Sequence, residues 1–219
     1  MDRHAAEAAL SYIRDYMTIG LGSGKAIECL IEFIAMKNIP GLKICTNSMA
    51  TAIKAKQRDL DVVPTWMVDH LDFTFDCLNF ADKDLSGSKT DPMMLVENKL
   101  IASMADRFIV FVNKSDFGSV ITDSLPVQVE VVKPAFSYAS RKLADMGALV
   151  HAAKTDSSEP YISSCGNYIL YADFKDVKSV KELNDAICEI PGVIETSLFT
   201  GLKTTALVYS AEGVETFEG

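Results

Sequence analysis

Histidine is scarce in this chain and does not cluster. His4, His70 and His151 stand far apart with no partner at ligand spacing, so no metal site is expected. The five cysteines (Cys29, Cys45, Cys77, Cys165 and Cys188) are odd in number and scattered, and none forms a C-x-x-C pair. That argues against a disulfide framework and leaves reduced packing thiols in a cytoplasmic protein as the expectation. Basic charge is short as well. Lysine and arginine number 21 against 30 aspartates and glutamates, a formal net charge of −9 spread along the chain. Such a balance attracts neither nucleic acid nor an anionic membrane, so neither is expected as a partner. No apolar run approaches the length needed to cross a bilayer, and "MDRHAAEAAL" carries no signal-peptide pattern. Internal repeats and low-complexity tracts are missing too.

What is present suits a soluble globular protein of one large or two small domains. The chain has 219 residues, 48% hydrophobic and 23% charged, enough for a real core. Helical periodicity runs from His4 to Tyr16, followed by a short buried strand in "MTIGLG" and a helix from Lys25 to Met36. "LKICT" reads as a strand, and "SMATAIKAKQ" as a helix with Ser48 as its N-cap. "LDFTFDCLNF" is another strand. Lys89 to Met104 is a loop ending in a helix, and "RFIVFVN" is a buried strand. Strands alternating with helices predict a Rossmann-like α/β domain, a mostly parallel sheet covered on both faces.

The pattern then changes. "VQVEVV", a helix over "AFSYASRKLADMG", "ALVHAA", "YILYADF", a helix over "SVKELNDAICEI" and "VIETSLF" follow in order. That is β-α-β-β-α-β, a ferredoxin-like α+β unit. The final segment, "TTALVYSAEGVETF", is expected to return a strand to the first sheet. The expected organisation is therefore a Rossmann-like domain over 1–126 plus 204–219, with a ferredoxin-like domain over 127–203 inserted in it.

"IGLGSGKAIECL" places Gly20, Gly22 and Gly24 between a strand and a helix, with Ser23 and Lys25 beside them. Backbone N–H groups at a helix N-terminus can face an anion there. The pattern fits neither G-x-G-x-x-G nor the Walker motif. A tight turn that needs glycine and a phosphate cradle both fit it, and ligands of open α/β sheets do bind at the carboxyl ends of the strands.

Taken together, several segments resemble ribose-5-phosphate isomerase of the A type: "ALSYIRDYMTIGLGSG", "NKLIASMADRFIVFVNKSD", "LPVQVEVVKPAFSYASRKLADMGA", "GNYILYADF" and "LNDAICEIPGVIETSLFTG". The resemblance covers nearly the whole chain and implies the two-domain architecture that periodicity suggests independently. It implies interconversion of ribose 5-phosphate and ribulose 5-phosphate without a cofactor, a sugar phosphate as ligand, and a homodimer or homotetramer. In that reaction a carboxylate moves a proton between adjacent carbons, with a lysine and aspartates managing oxygen charge. Such work needs a base within reach of the carbon-bound proton and donors set for the developing oxyanion.

Position by position, this chain departs from the pattern the resemblance implies. The D-G-A-D motif is matched to Asn79-Phe80-Ala81-Asp82, which keeps only its second aspartate and shortens the path to the lysine by about three residues. Lys89 matches that lysine. Nine residues on, the glutamate position is Asn98, and "NKLIAS" follows without a gap. An amide cannot take a proton from carbon at neutral pH, and losing a positioned base costs roughly 10²–10⁴ in rate. Glu97 is turned about 100° away by one helical step. The glycine-rich stretch after the lysine is replaced by Thr90, Asp91, Pro92 and Met93, among which Asp91 is a candidate substitute base. At the phosphate end, G-T-G-S-T becomes Gly22-Ser23-Gly24-Lys25-Ala26, and "SSCGN" keeps Gly166 and Asn167 of a T-D-N-G-N turn.

The expected catalytic positions are thus Asp82, Lys89, Asn98 and Asp91, and the expected phosphate or substrate contacts Gly22, Ser23, Gly24, Lys25 and Asn79. A plainer reading makes Asp82 a loop aspartate and Lys89 a solvated lysine. Two functions follow: an isomerase of weak or lost activity, or a non-catalytic protein that binds a sugar phosphate or another anion. A transferase on a related fold lacks its glutamate motif here.

Overall fold

The computed structural model describes residues 2–91, 93–118, 126–154 and 159–219. It divides into two compact units, Met1–Asn79 with Glu97–Phe117 and Leu202–Gly219, and Phe80–Val96 with Gly118–Gly201. Pro92 lies outside the described residues.

The first unit is built on a seven-stranded sheet, with strands numbered along the whole chain. They are β1 (Thr18–Leu21), β2 (Lys43–Cys45), β3 (Asp61–Val63), β4 (Leu71–Cys77), β7 (Ala105–Asn113), β13 (Thr204–Tyr209) and β14 (Val214–Glu218). Their order is β14-β13-β7-β4-β1-β2-β3. Every pairing is parallel except the β13–β14 hairpin at one edge. Buried Phe108 to Val112 in β7 explains its unbroken apolar run, because a central parallel strand is covered on both faces.

Helix α1 (Asp2–Leu10) ends earlier than the periodicity predicts. Ser11, Tyr12 and Ile13 donate to the carbonyls three residues back, which tightens the chain out of the α-helix, and Tyr16 adopts φ 62. Helix α2 (Lys25–Lys37) buries Ala26, Ile27, Leu30, Ile31 and Ile34, and left-handed Asn38 closes it by donating to Ile34 O. Helix α3 (Met49–Lys56) starts where Ser48 accepts from Thr51 N at 3.3 Å. Helix α4 (Leu95–Ser103) precedes β7.

The second unit holds a four-stranded antiparallel sheet, β8 (Val127–Val131), β9 (Leu149–Ala152), β10 (Tyr168–Asp173) and β11 (Val193–Thr196), in the order β11-β8-β10-β9. Helices α5 (Phe136–Asp145) and α6 (Val180–Cys188) complete the β-α-β-β-α-β order. Val127, Val129 and Val131 share a core with Ala139, Leu143 and Ile187. Gln128 and Glu130 alternate with them and are also buried.

A small sheet of β5 (Phe80–Ala81), β6 (Gly87–Ser88) and β12 (Leu198–Phe199) has no counterpart in the sequence reading. "VIETSLF" is two strands rather than one. Ser197 separates them, its N–H donating to Gln128 O and its carbonyl accepting from Lys89 N. The compact units are also drawn differently from 127–203. The second takes in Phe80–Val96, because Phe80 is buried with Val127, Leu170 and Leu198.

Candidate functional site

In the first unit, the chain leaving the carboxyl end of β1 forms the glycine loop. Gly22 N donates to Phe75 O at 2.8 Å, which holds the loop against β4. A Cβ on Gly22 would lie 2.0 Å from Asp76 Oδ1, so only glycine fits there. Gly24 sits at φ 128 as the residue before α2, and its carbonyl accepts from Glu28 N. The first N–H groups of that 13-residue helix have no partner within it, and Lys25 is exposed at its start. Glu28, in the first turn, is paired with Lys54 at 2.7 Å. A hollow of about 70 Å³ is lined by Ser23, Gly24, Glu28, Thr51 and Lys54, among others.

Asp76, at the end of β4, is 1% exposed. Its Oδ1 accepts from Ser23 N at 3.0 Å and from Cys77 N at 2.8 Å. Two backbone donors hold that carboxylate at the mouth of the glycine loop. The reading from sequence passed over it, matching the motif three residues further on, at Asn79 to Asp82.

Beyond the end of β2, Asn47 donates from Nδ2 to Asn98 Oδ1 at 3.1 Å. Three residues past Ser48, buried Thr51 donates from Oγ1 to Gly22 O at 2.7 Å. One short turn therefore reaches both the glycine loop and the first turns of α4. Asn98 is 4% exposed. Neither Asn47 nor Thr51 was singled out from the sequence, because a polar residue in a turn after a strand carries no pattern of its own. Asn79 is exposed at the end of the segment that follows β4.

The remaining predicted residues belong to the second unit. Asp82 closes the turn between β5 and β6. Its N donates to Ser86 O at 2.8 Å, and its Oδ1 accepts from Ser86 N at 2.9 Å. Burial pushes its carboxyl above the usual range, against the pull of the Ser86 and Asp84 backbone N–H groups. Lys89 is 6% exposed, which overturns the reading of a solvated lysine, and its N–H is held by Ser197. Asp91 accepts from Met93 N at 3.3 Å and so closes the turn that leads into α4.

Ser164 donates to Met93 O from both its N and its Oγ, at 2.8 Å each. Its turn is held by Glu130 Oε1, which accepts from Ser163 Oγ at 2.6 Å and Asn167 Nδ2 at 2.8 Å. Among the described residues no group of three or more His, Cys, Asp or Glu is placed to hold a metal, and no helix is long and apolar enough to cross a membrane.

A family model described as ribose 5-phosphate isomerase A (phosphoriboisomerase A) matches residues 43–213. The chain is 30% identical over 213 residues to ribose-5-phosphate isomerase A of Staphylococcus epidermidis, covering 95% of this chain and 92% of that one. To the enzyme of Bacillus mycoides it is 26% identical, covering 97% of each. Among solved structures, ribose 5-phosphate isomerase A of Methanocaldococcus jannaschii superposes with a TM-score of 0.89 at 25% identity, over 100% of this chain and 98% of that one. A D-ribose-5-phosphate isomerase in complex with phospho-erythronic acid gives 0.91 at 27% identity, over 100% and 97%.

Proposed function

The chain belongs to the ribose 5-phosphate isomerase A family, and from that premise we propose that it binds a sugar phosphate while isomerising it weakly or not at all. The observation that carries this reading is Asn98. It occupies the position of the general base, it is buried, and its carbonyl oxygen is held by Asn47. An amide so placed binds oxygen atoms but does not remove a proton from carbon.

A second inference concerns register. Shifting the D-G-A-D match upstream by three residues, onto Asp76-Cys77-Leu78-Asn79, removes the missing residues before Lys89. It makes Asp76 the retained aspartate and Asn79 the substituted one. Asp76 beside the glycine loop suits that role better than Asp82, whose carboxylate closes a hairpin turn. In that register the sequence keeps the first aspartate, as Asp76, and the lysine, as Lys89, and carries amides at the two positions where carboxylates are expected. Asp91, committed to its own turn, is a poor substitute base.

Phosphate binding at the glycine loop is supported by the N-terminus of α2 with Lys25 as added charge. The family resemblance supports a homodimer or homotetramer and a role in the pentose phosphate pathway, and five cysteines outside any disulfide suit the cytoplasm. A coupled assay of ribose 5-phosphate conversion tests the reading. The wild-type chain should turn over far below about 10 s⁻¹, a median enzyme value. Asn98→Glu should raise the rate by roughly 10² or more. Wild-type turnover at ordinary enzyme rates would overturn it.

A further inference from the structure

We propose that Glu130 is a positioning residue for Lys89: with Ser197 at the other end, it ties the main chain of the segment from Lys89 to Met93 to strand β8. The inference rests on the sugar-phosphate reading above and deepens it by naming what holds the lysine of that site in place.

Side chains of β8 alternate between two faces. Val127, Val129 and Val131 join the core shared with α5 and α6, so Gln128 and Glu130 fall on the opposite face. Glu130 is 0% exposed, and a carboxylate so buried depends on the bonds made to it. Its Oε1 accepts from Ser163 Oγ at 2.6 Å and from Asn167 Nδ2 at 2.8 Å, whereas Oε2 meets no partner among the described residues. Through Oε1 the side chain holds the turn from Ser163 to Asn167. That turn is also closed within itself, since Ser163 N donates to Asn167 O and Gly166 N to Ser163 O, at 2.9 Å each. From it Ser164 reaches Met93, donating from both N and Oγ to Met93 O at 2.8 Å.

The other end of the segment is tied to the same strand. Lys89 N donates to Ser197 O at 3.1 Å, Ser197 N to Gln128 O at 2.9 Å, and Gln128 N to Ser197 Oγ at 3.0 Å. The two anchors therefore start from alternate residues of one strand, about 7 Å apart along an extended chain. Three residues separate Lys89 from Met93 in the sequence. Held at its N–H alone, Lys89 would be able to swing about Ser197. Held at Met93 as well, the short path between the anchors restrains the direction in which its side chain leaves the backbone. Asp91 stiffens the Met93 end, taking Met93 N on its carboxylate and Met94 N on its carbonyl.

A double-mutant cycle tests this by calorimetric titration of ribose 5-phosphate and inorganic phosphate, with hydrogen exchange at Met93 and Met94. Glu130→Ala should weaken ribose 5-phosphate about tenfold relative to inorganic phosphate. It should also speed exchange at both amides about tenfold, while the amides of α5 stay within about twofold. Glu130→Gln, which keeps an oxygen acceptor for Ser163 and Asn167, should hold the wild-type affinity ratio within about twofold even if it melts lower. In a Lys89→Ala background, Glu130→Ala should cost less than about twofold further, because the residue it positions is gone. A residue that served only the stability of the unit would keep its effect there. Ser164→Ala, at an exposed position, should lose about threefold and carries the test should Glu130→Ala not fold. A loss undiminished by Lys89→Ala, or a ratio and exchange rates unchanged in Glu130→Ala and Ser164→Ala, overturns this inference and leaves the sugar-phosphate reading standing. A wild-type chain that binds ribose 5-phosphate no better than inorganic phosphate overturns that reading instead, and exchange at Met93 and Met94 then decides the Glu130 anchor by itself.

Discussion

At the scale of single residues, the carboxylates of this chain divide by what holds them. Asp76 takes backbone N–H bonds from Ser23 and Cys77 at the end of a central strand, whereas Asp82 takes them from Ser86 and Asp84 within a hairpin turn and is raised by burial. The consequence for Asp82 has a definite sign. A carboxyl whose folded value lies above its unfolded value favours the fold when protonated. Its contribution is fully present below the unfolded value, near about pH 4, and is lost as pH rises through the folded value. Asp82→Asn keeps an oxygen acceptor for Ser86 N and cannot ionise. It should therefore flatten the change in Tm from about pH 4 upward, gaining on the parent chain toward neutral pH. Thermal melts of both proteins across that range check it, and parallel pH profiles would rule it out.

Elements here are set by their ends as much as by their periodicity. Helix α1 stops at Leu10 because three successive short-range bonds tighten the chain, although apolar spacing continues toward Ile13. Helix α4 starts only at Leu95, after Asp91 has closed a turn at Met93. Helix α3 has a side-chain cap, and that cap matters beyond the helix because Thr51, whose N–H is capped, also holds Gly22. Ser48→Ala should cost about 1 kcal/mol of stability. In urea titrations the midpoint should fall with the slope unchanged. The loss should be accompanied by weaker binding of inorganic phosphate, since the first turn of α3 supports the glycine loop. Stability lost with phosphate binding intact would show that the cap serves the helix alone.

On the scale of the whole chain, burial orders the five thiols. Cys45 lies inside the first unit and burial pushes its thiol up to about 11, and burial also raises Cys29. Cys165 and Cys188 are exposed in the second unit. Because the thiolate is the reactive form, iodoacetamide near pH 7.5 should modify Cys165 and Cys188 first and Cys45 last, with Cys45 reacting only as the chain unfolds. Peptide mass spectrometry over a time course follows the order directly. Early labelling of Cys45 would mean that the first unit opens without global unfolding.

Much of the architecture was legible in the sequence because hydrophobic period and strand order are local facts. The alternation of buried strands and helices, the β-α-β-β-α-β run and the Ser48 cap all follow from spacing within a dozen residues. The match of Asn98 to the base position rests on another local fact, its count of nine residues from Lys89 with no gap in the run that follows. What the tertiary structure alone decided are the meetings of residues distant in the chain. Asp76 reaches Ser23 N across 53 residues, Asn47 reaches Asn98 across 51, and Ser197 lies between Gln128 and Lys89. The small sheet of β5, β6 and β12 exists for the same reason, as two-residue strands have no period to read and form only where distant segments supply their partners. Residue type determined that position 98 is an amide. Which atom of that amide is held inside the fold was decided by a neighbour that only folding brings within 3.1 Å.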